Sequence, residues 1–170
     1  MQPFVIAING LKQGSTRFDW RADGKFFGIF DNPDIQEASL EVVATAEKAG
    51  RFLGIGCSVK GNVTVVCDRC LDPLVLPVDV DFALSVKFGE AEERAESDDR
   101  EIVMLPEGES ELDLSQFVYD WVCTSLPMHR VHPDGQCNPA VLKYLDREED
   151  TAQAAPATES PFAALKDILK

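Results

Sequence analysis

Residues 78–88 read VDVDFALSVKF, and every second residue from Val78 to Phe88 is a large apolar one. Successive side chains of a β-strand point to opposite faces, so this alternation predicts a strand with one buried and one solvated face. Asp79, Asp81 and Lys87 would face water. A strand with one wet face is typical of antiparallel sheets, because parallel sheets are usually covered on both faces. The stretch therefore predicts a fold built on antiparallel strands.

Three earlier stretches repeat the same alternation. The apolar residues that share a face are Leu40, Val42, Ala44 and Ala46, then Leu53, Ile55, Cys57 and Val59, then Val63 and Val65. Between the last two stretches, Lys60-Gly61-Asn62 predicts a turn, because glycine and asparagine adopt turn conformations readily. Cys57 is interpreted as a small buried hydrophobe and not as a ligand, since it lies on the apolar face.

Helical spacing appears only after residue 113. Apolar residues recur every three or four positions from Leu114 to Leu126, with Asp113 as a candidate N-cap and Pro127 as the stop. Cys123 is expected on the face opposite Leu114. Further on, residues 138–139 (Asn-Pro) predict the N-cap and first position of a short helix over residues 140–145.

These patterns together predict an α+β fold: a mainly antiparallel β sheet or partial barrel, with a packed C-terminal helix and a zinc site. The domain is expected to span residues 1–145. Residues 146–159 are polar and rich in Ala, Thr and Pro, which predicts a flexible linker. Residues 160–170 form a short amphipathic terminal segment, which would either fold back onto the domain or bind a partner.

Charge restricts the class of partner. Thirty acidic residues against 16 basic ones give a net charge of −14, which argues against binding that is dominated by nucleic-acid phosphates. A basic protein partner suits this balance better. Residues 90–113 hold 11 of the acids; a solvated loop is the first interpretation of this run, and a docking patch for a basic partner is the second.

Cysteine usage and the N-terminus point to a compartment. Five cysteines are an odd number, and the first residues, Met1-Gln2-Pro3, lack the basic residues of a signal peptide. We therefore expect a cytoplasmic protein with reduced thiols and no membrane partner.

Four residues have the pattern of a metal site. Cys67 and Cys70 form a C-x-x-C pair after an apolar strand, and His132 and Cys137 flank the turn-forming Pro-Asp-Gly of residues 133–135. Three thiolates and one imidazole suit a structural, tetrahedral Zn²⁺. The metal ligands are therefore predicted to be Cys67, Cys70, His132 and Cys137. His129 and Cys123 remain substitute ligands.

Enzymatic alternatives have less support. A C-x-x-C pair also serves thiol redox catalysis, but such a motif normally opens a helix in a βαβ unit, whereas Asp72-Pro73 leads here into another strand. A site with four protein ligands leaves no open position for zinc hydrolysis, and no H-E-x-x-H motif is present. We expect no catalytic residues and no small-molecule substrate. A zinc- or thiol-dependent enzyme of redox type remains the alternative.

Several motifs resemble the YceD family, also called DUF177. They are residues 66–71 (VCDRCL), residues 112–114 (LDL) and the run from Ser125-Leu126-Pro127 through His132 to Cys137. The resemblance covers most of residues 1–145. It implies a role in large ribosomal subunit biogenesis, because this family is implicated in accumulation of large-subunit rRNA and its genes often neighbour that of ribosomal protein L32.

The implied role and the charge lead to one hypothesis. A strongly acidic protein is suited to act as an adaptor for a basic ribosomal protein, with L32 as one candidate, or for a large-subunit precursor particle. Direct rRNA contact through Lys60, Arg69 and Arg130 is a weaker alternative, since three scattered bases make a poor phosphate-binding surface.

Overall fold

The computed structural model describes residues 4–50, 52–89, 101–106 and 108–152, with side chains described up to residue 145. Contacts divide the chain into two compact units. The first contains residues 1–66 and 73–130, and the second contains residues 67–72 and 131–170. The predicted domain boundary at residue 145 stays a prediction.

The first unit holds seven described strands and two α-helices. In chain order they are β1 (Val5–Ala7), a 3₁₀ turn (Ile8–Gly10), β2 (Gly14–Asp23), α1 (Gly24–Gly28), β3 (Ile35–Ala49), β4 (Phe52–Val66), β5 (Pro73–Phe88), β6 (Glu101–Leu105), β7 (Glu111–Asp113) and α2 (Ser115–Ser125). The second unit holds α3 (Pro139–Ala152). No helix among the described residues is long and apolar enough to cross a membrane.

The main sheet has five strands in the order β2-β3-β4-β5-β6. The first three pairings are antiparallel, and β6 joins parallel to β5. A separate antiparallel pair, β1 with β7, completes the strand pairing of the described residues. The α+β class and the mainly antiparallel sheet are thus confirmed, with one parallel edge that the sequence did not predict. Over the described residues β2 and β6 do not pair with each other, so this sheet is open.

The core lies on the face of the sheet that carries the alternating apolar residues. All the apolar positions named above on β3 and β4 are buried, and so are Val78, Val80, Phe82, Leu84 and Val86 on β5. Strands of 15 or 16 residues carry this pattern over most of their length. The buried face is therefore continuous across three long neighbours, which is what stabilises the sheet.

The predicted turn at residues 60–62 is wrong. These residues lie inside β4, where Gly61 is paired with Leu40 on one side and Val78 on the other. Glycine is needed there for a different reason: its φ is +148°, and a Cβ would collide with the backbone oxygen of Ser39. The chain reverses instead after β3, where Gly50 has a φ of +63°.

Helix α2 packs its Val118 and Val122 side chains into the core. The N-cap of this helix is Leu114, one residue after the predicted Asp113, and its side chain makes no capping bond. Asp113 still contacts the helix start, because the Ser115 N–H donates to its Oδ1 at 2.8 Å. On the same helix, Trp121 stacks on Phe82 of β5 with ring centroids 5.5 Å apart and remains 38% exposed. This contact fixes α2 against the sheet.

Helix α3 begins as predicted, because the Ala140 N–H donates to Oδ1 of Asn138 at 3.0 Å and Pro139 follows as the first helical residue. It continues to Ala152 and so enters the stretch that was expected to be a linker. The rest of that linker, the terminal segment 160–170 and the acidic residues 90–100 lie outside the described residues. The packed C-terminal helix stays a prediction.

Candidate metal centre

The first half of the site is the connection between β4 and β5, residues 67–72. Its backbone closes on itself: the Cys67 N–H donates to the Asp72 oxygen at 2.9 Å, and the Leu71 N–H donates to the Cys67 oxygen at 3.0 Å. Leu71 has a φ of +62°, a left-handed conformation that L-residues rarely adopt. The tight turn directs the Cys67 and Cys70 side chains towards one point.

Backbone N–H groups hold the Cys67 sulfur as a thiolate. Burial opposes its ionisation, but hydrogen bonds from the backbone of Cys70, Arg69 and His132 outweigh burial and lower the pKa of Cys67 to about 6. A thiolate is the form in which cysteine binds metals. Backbone donors from the turn and from His132 therefore favour the thiolate of Cys67 at neutral pH.

The second half of the site is a turn over residues 133–136. The Gln136 N–H donates to the Pro133 oxygen at 3.0 Å, and Gly135 has a φ of +78°, which together describe a type II turn. Cys137 follows this turn and immediately precedes the N-cap of α3. The reversal brings His132 and Cys137 to the same side.

All four predicted residues meet within the second unit. One ligand atom from each of Cys67, Cys70, His132 and Cys137 lies within 4.8 Å of the others. Nδ1 of His132 is 3.4 Å from Sγ of Cys70 and 4.0 Å from Sγ of Cys137. Around tetrahedral Zn²⁺, bonds of about 2.3 Å to sulfur and 2.0 Å to nitrogen separate an S and an N ligand by about 3.5 Å. The group has the spacing and the chemistry to hold a metal ion.

Burial and mutual proximity oppose ionisation of the clustered thiols. Cys67, Cys70 and Cys137 are at most 5% exposed, and His132 is half-buried. Burial, followed by the neighbouring Cys70 and Cys67 sulfurs, raises the pKa of Cys137. Several buried thiolates cannot coexist closely without a positive charge between them. A divalent ion would supply that charge and allow all three to ionise.

The substitute ligands do not join the cluster found in the described residues. Cys123 lies on α2 in the first unit, where its Sγ is 3.5 Å from the Asn32 side-chain nitrogen, and burial raises its pKa. Cys57 is buried on β4, as predicted, and its pKa is raised to about 12 by burial and then by Asp81. All five cysteines are free thiols.

Two features of the site were not predicted from the sequence. One is the set of backbone donors to Cys67, which includes the N–H of Arg69. The other is the left-handed conformation of Leu71, for which glycine would have been the usual signal. Neither feature can be predicted from the side chains, because both depend on the conformation of the backbone.

Comparison with known proteins identifies the family. The sequence matches no curated protein, and no solved structure matches the chain. One family model, described as "Large ribosomal RNA subunit accumulation protein YceD", matches residues 55–169, about two-thirds of the chain. The match contains all four residues of the cluster. It begins on β4, later than the resemblance expected over most of residues 1–145, and it extends past that range at the other end. The chain belongs to the YceD family.

Proposed function

We propose that this chain is a non-enzymatic, cytoplasmic factor in large ribosomal subunit biogenesis that supports accumulation of large-subunit rRNA. Membership of the YceD family carries the proposal, because the family's description names that process. The four clustered residues fall inside the matched region, which supports including the candidate metal centre in the proposal.

The centre would bind Zn²⁺ in a structural role. Three cysteines and a histidine are a zinc donor set, and four protein ligands fill a tetrahedral shell. The ion would tie residues 67–72 to residues 132–137 within the second unit. Metal analysis of the purified protein by mass spectrometry tests this: one zinc per chain is expected, and a stoichiometric content of iron would reject zinc.

The partner would be a basic ribosomal protein, with L32 as one candidate, or a precursor particle that displays one. The net charge of −14 supports this choice. Two of the three bases considered for rRNA contact are engaged by carboxylates: Nζ of Lys60 lies 2.9 Å from Asp79, and Arg130 lies 3.2 Å from Asp34. Those ion pairs weaken the case for direct phosphate binding.

A thiol enzyme of redox type is the second candidate, and one observation favours it. The lowered pKa of Cys67, about 6, is a property of reactive cysteines as well as of metal ligands. The local context favours a structural site, because the C-x-x-C pair lies in a turn between two antiparallel strands and not at the start of a helix. A hyper-reactive thiol in the metal-loaded protein would support the enzyme.

Depletion in cells tests the main proposal. We expect depletion to lower the ratio of large- to small-subunit rRNA and to reduce the large-subunit peak in a sucrose gradient. Wild-type protein should restore the profile, and Cys70→Ser should restore it poorly if the metal centre is required. An unchanged profile on depletion would reject the ribosomal role.

A further inference from the structure

A cavity of about 670 Å³ lies within the first unit. Its apolar wall comes from Phe4, Trp20, Phe26 and Phe30, and its polar edge includes the carboxylates of Asp23 and Asp113. This volume is within the range of sites that bind small ligands or short peptide segments. The cavity is larger than one side chain, so a peptide ligand would also place neighbouring residues in it.

The aromatic wall is held by ring-to-ring contacts. Phe26 lies at its centre, with ring centroids 4.9 Å from Phe4 and 5.4 Å from Phe30. Phe4 in turn lies 5.8 Å from Trp20, and Phe30 stacks on Tyr119 at 4.2 Å. Since each ring packs against a neighbour, the wall is formed before any ligand arrives.

Backbone N–H groups at the starts of two helices hold the two carboxylates. Asp23 accepts the Phe26 N–H at 3.2 Å at the start of α1, and Asp113 accepts the Ser115 N–H at 2.8 Å at the start of α2. Both bonds use Oδ1. Within the described part of the chain, neither Oδ2 has a hydrogen bond. Each carboxylate therefore offers one oxygen to a ligand.

The charge of the cavity selects a cation. Arg21 is the one base that lines it in the described residues, and its guanidinium lies 3.6 Å from Glu41. The two helix N-termini, which would otherwise attract an anion, already hold Asp23 and Asp113. An anionic ligand such as a phosphate would meet two carboxylates here. A cation would meet the carboxylates and the partly exposed rings of Trp20 and Phe30, behind which Phe4 and Phe26 are buried.

We infer that this cavity binds an arginine side chain from a basic, extended segment of a protein partner. A guanidinium stacks on aromatic rings and donates to carboxylates at the same time, which a strongly hydrated ammonium does less well. The flanking residues of the segment would occupy the rest of the apolar wall. The inference rests on the proposed adaptor function and gives that function a binding site.

The test uses the full-length, zinc-loaded protein and a fluorescein-labelled decapeptide of alternating arginine and leucine. A second peptide replaces arginine with citrulline, which keeps the shape and removes the charge. A single-stranded oligouridine serves as the RNA probe. Affinity is measured by fluorescence anisotropy, and the site is located from the two indole N–H signals in a ¹⁵N correlation spectrum, since Trp20 lines the cavity and Trp121 does not.

Asp23→Asn/Asp113→Asn is the diagnostic variant, because asparagine keeps the Oδ1 acceptor for the Phe26 and Ser115 N–H groups while the change removes both charges. Asp81→Asn/Glu101→Gln is the matched control: it removes the same charge from exposed positions on β5 and β6. We expect the arginine peptide to shift the Trp20 signal and not that of Trp121. The diagnostic variant should bind it about tenfold more weakly, and the control within about twofold of wild type.

Two results would overturn the inference and leave the adaptor proposal standing: equal weakening by both double variants, or peptide binding that leaves the Trp20 signal in place. Equal affinity for the citrulline peptide would show that binding does not need the positive charge, and would also overturn the inference. A Trp20 shift caused by oligouridine and not by the arginine peptide would assign the cavity to RNA. Failure of the ribosomal role itself is measured separately, in the depletion profile.

Discussion

Sγ of Cys70 lies 3.4 Å from Nδ1 of His132, 62 residues further along the chain. These two atoms are already at the separation that a shared tetrahedral ion requires. The turn at residues 67–72 and the turn at residues 133–136 hold them there through their own backbone hydrogen bonds. The metal would thus enter a site whose ligands need little rearrangement, and its removal should act first on the second unit.

Cys137→Ser should abolish stoichiometric zinc binding and lower the melting temperature by several degrees, because serine is a poor zinc ligand and leaves the remaining buried thiols without their cation. Metal content and thermal unfolding measure the two effects. Cys123→Ser is the matched control and should keep the metal, since Cys123 is not in the cluster. Full zinc occupancy in Cys137→Ser would remove Cys137 from the ligand set.

Thiol counting should distinguish the five cysteines. In the zinc-loaded protein we expect only Cys123 to react with an aromatic disulfide reagent, because it alone among them is not buried, and to react slowly, because its pKa is raised. Chelation should expose three more thiols, those of Cys67, Cys70 and Cys137. Cys57 should react only on unfolding. One very fast thiol before chelation would contradict a closed site and support the enzymatic alternative.

Gly61→Ala should destabilise the protein by roughly 3 kcal/mol, since the new Cβ would collide with the Ser39 backbone and the φ of +148° strains an L-residue. Gly56→Ala on the same strand is the control, because a Cβ there meets nothing within 4 Å. Urea unfolding monitored by circular dichroism compares them. Equal stabilities would mean that β3 and β4 are further apart at Gly61 than the structure has them.

Leu71→Gly should hold zinc more tightly than Leu71→Ala, by about 1 kcal/mol or a factor of about five. Both changes remove the exposed side chain, but only glycine adopts a φ of +62° without strain. Competition with a chromophoric chelator measures the two affinities. If they are equal, the left-handed conformation at residue 71 costs nothing, and the strain argument fails.

Alkaline pH should weaken the fold through Cys57. Burial raises its pKa in the folded protein from 9.0 to about 12. Below pH 9 the thiol is neutral in both states; between pH 9 and 12 only the unfolded chain ionises, so the free energy of unfolding falls by about 1.4 kcal/mol per pH unit. Cys57→Ala should lose this component of the pH dependence, and Cys123→Ala should largely keep it. Parallel slopes for wild type and Cys57→Ala in urea unfolding between pH 9 and 10.5 would refute the assignment.

The sequence predicted the long strands well because their burial is local and periodic. Large apolar residues from Val78 to Val86 alternate with Asp79, Asp81, Ala83 and Ser85, and that pattern is unaffected by the partner strand. Gly61 misled the prediction because glycine marks turns and close backbone approaches alike. Only the position of Ser39 on the neighbouring strand separates the two cases, and that position is a property of the folded sheet.

The functional features also fall into a part that the sequence predicted and a part that it did not. Cys67, Cys70, His132 and Cys137 were found because ligand type and spacing are written in the sequence. The cavity around Phe26 was not predicted: its aromatic residues lie in a region without a clear period, and Asp113 comes from a distant part of the chain. Periodicity therefore finds strands, and spacing finds a Cys and His cluster that could hold a metal ion, but neither finds a pocket assembled from remote segments.

The placement of the cluster also sets an order of events during synthesis. Translation completes β2, β3, β4 and β5 by Phe88, whereas His132 and Cys137 are added more than forty residues later. The antiparallel part of the sheet can thus pair while Cys67 and Cys70 still lack the other two ligands. A nascent chain would carry two ligands exposed to oxidants or to the wrong metal until residue 137 leaves the exit tunnel. All four residues could then bind a metal ion only after Cys137 has been synthesised.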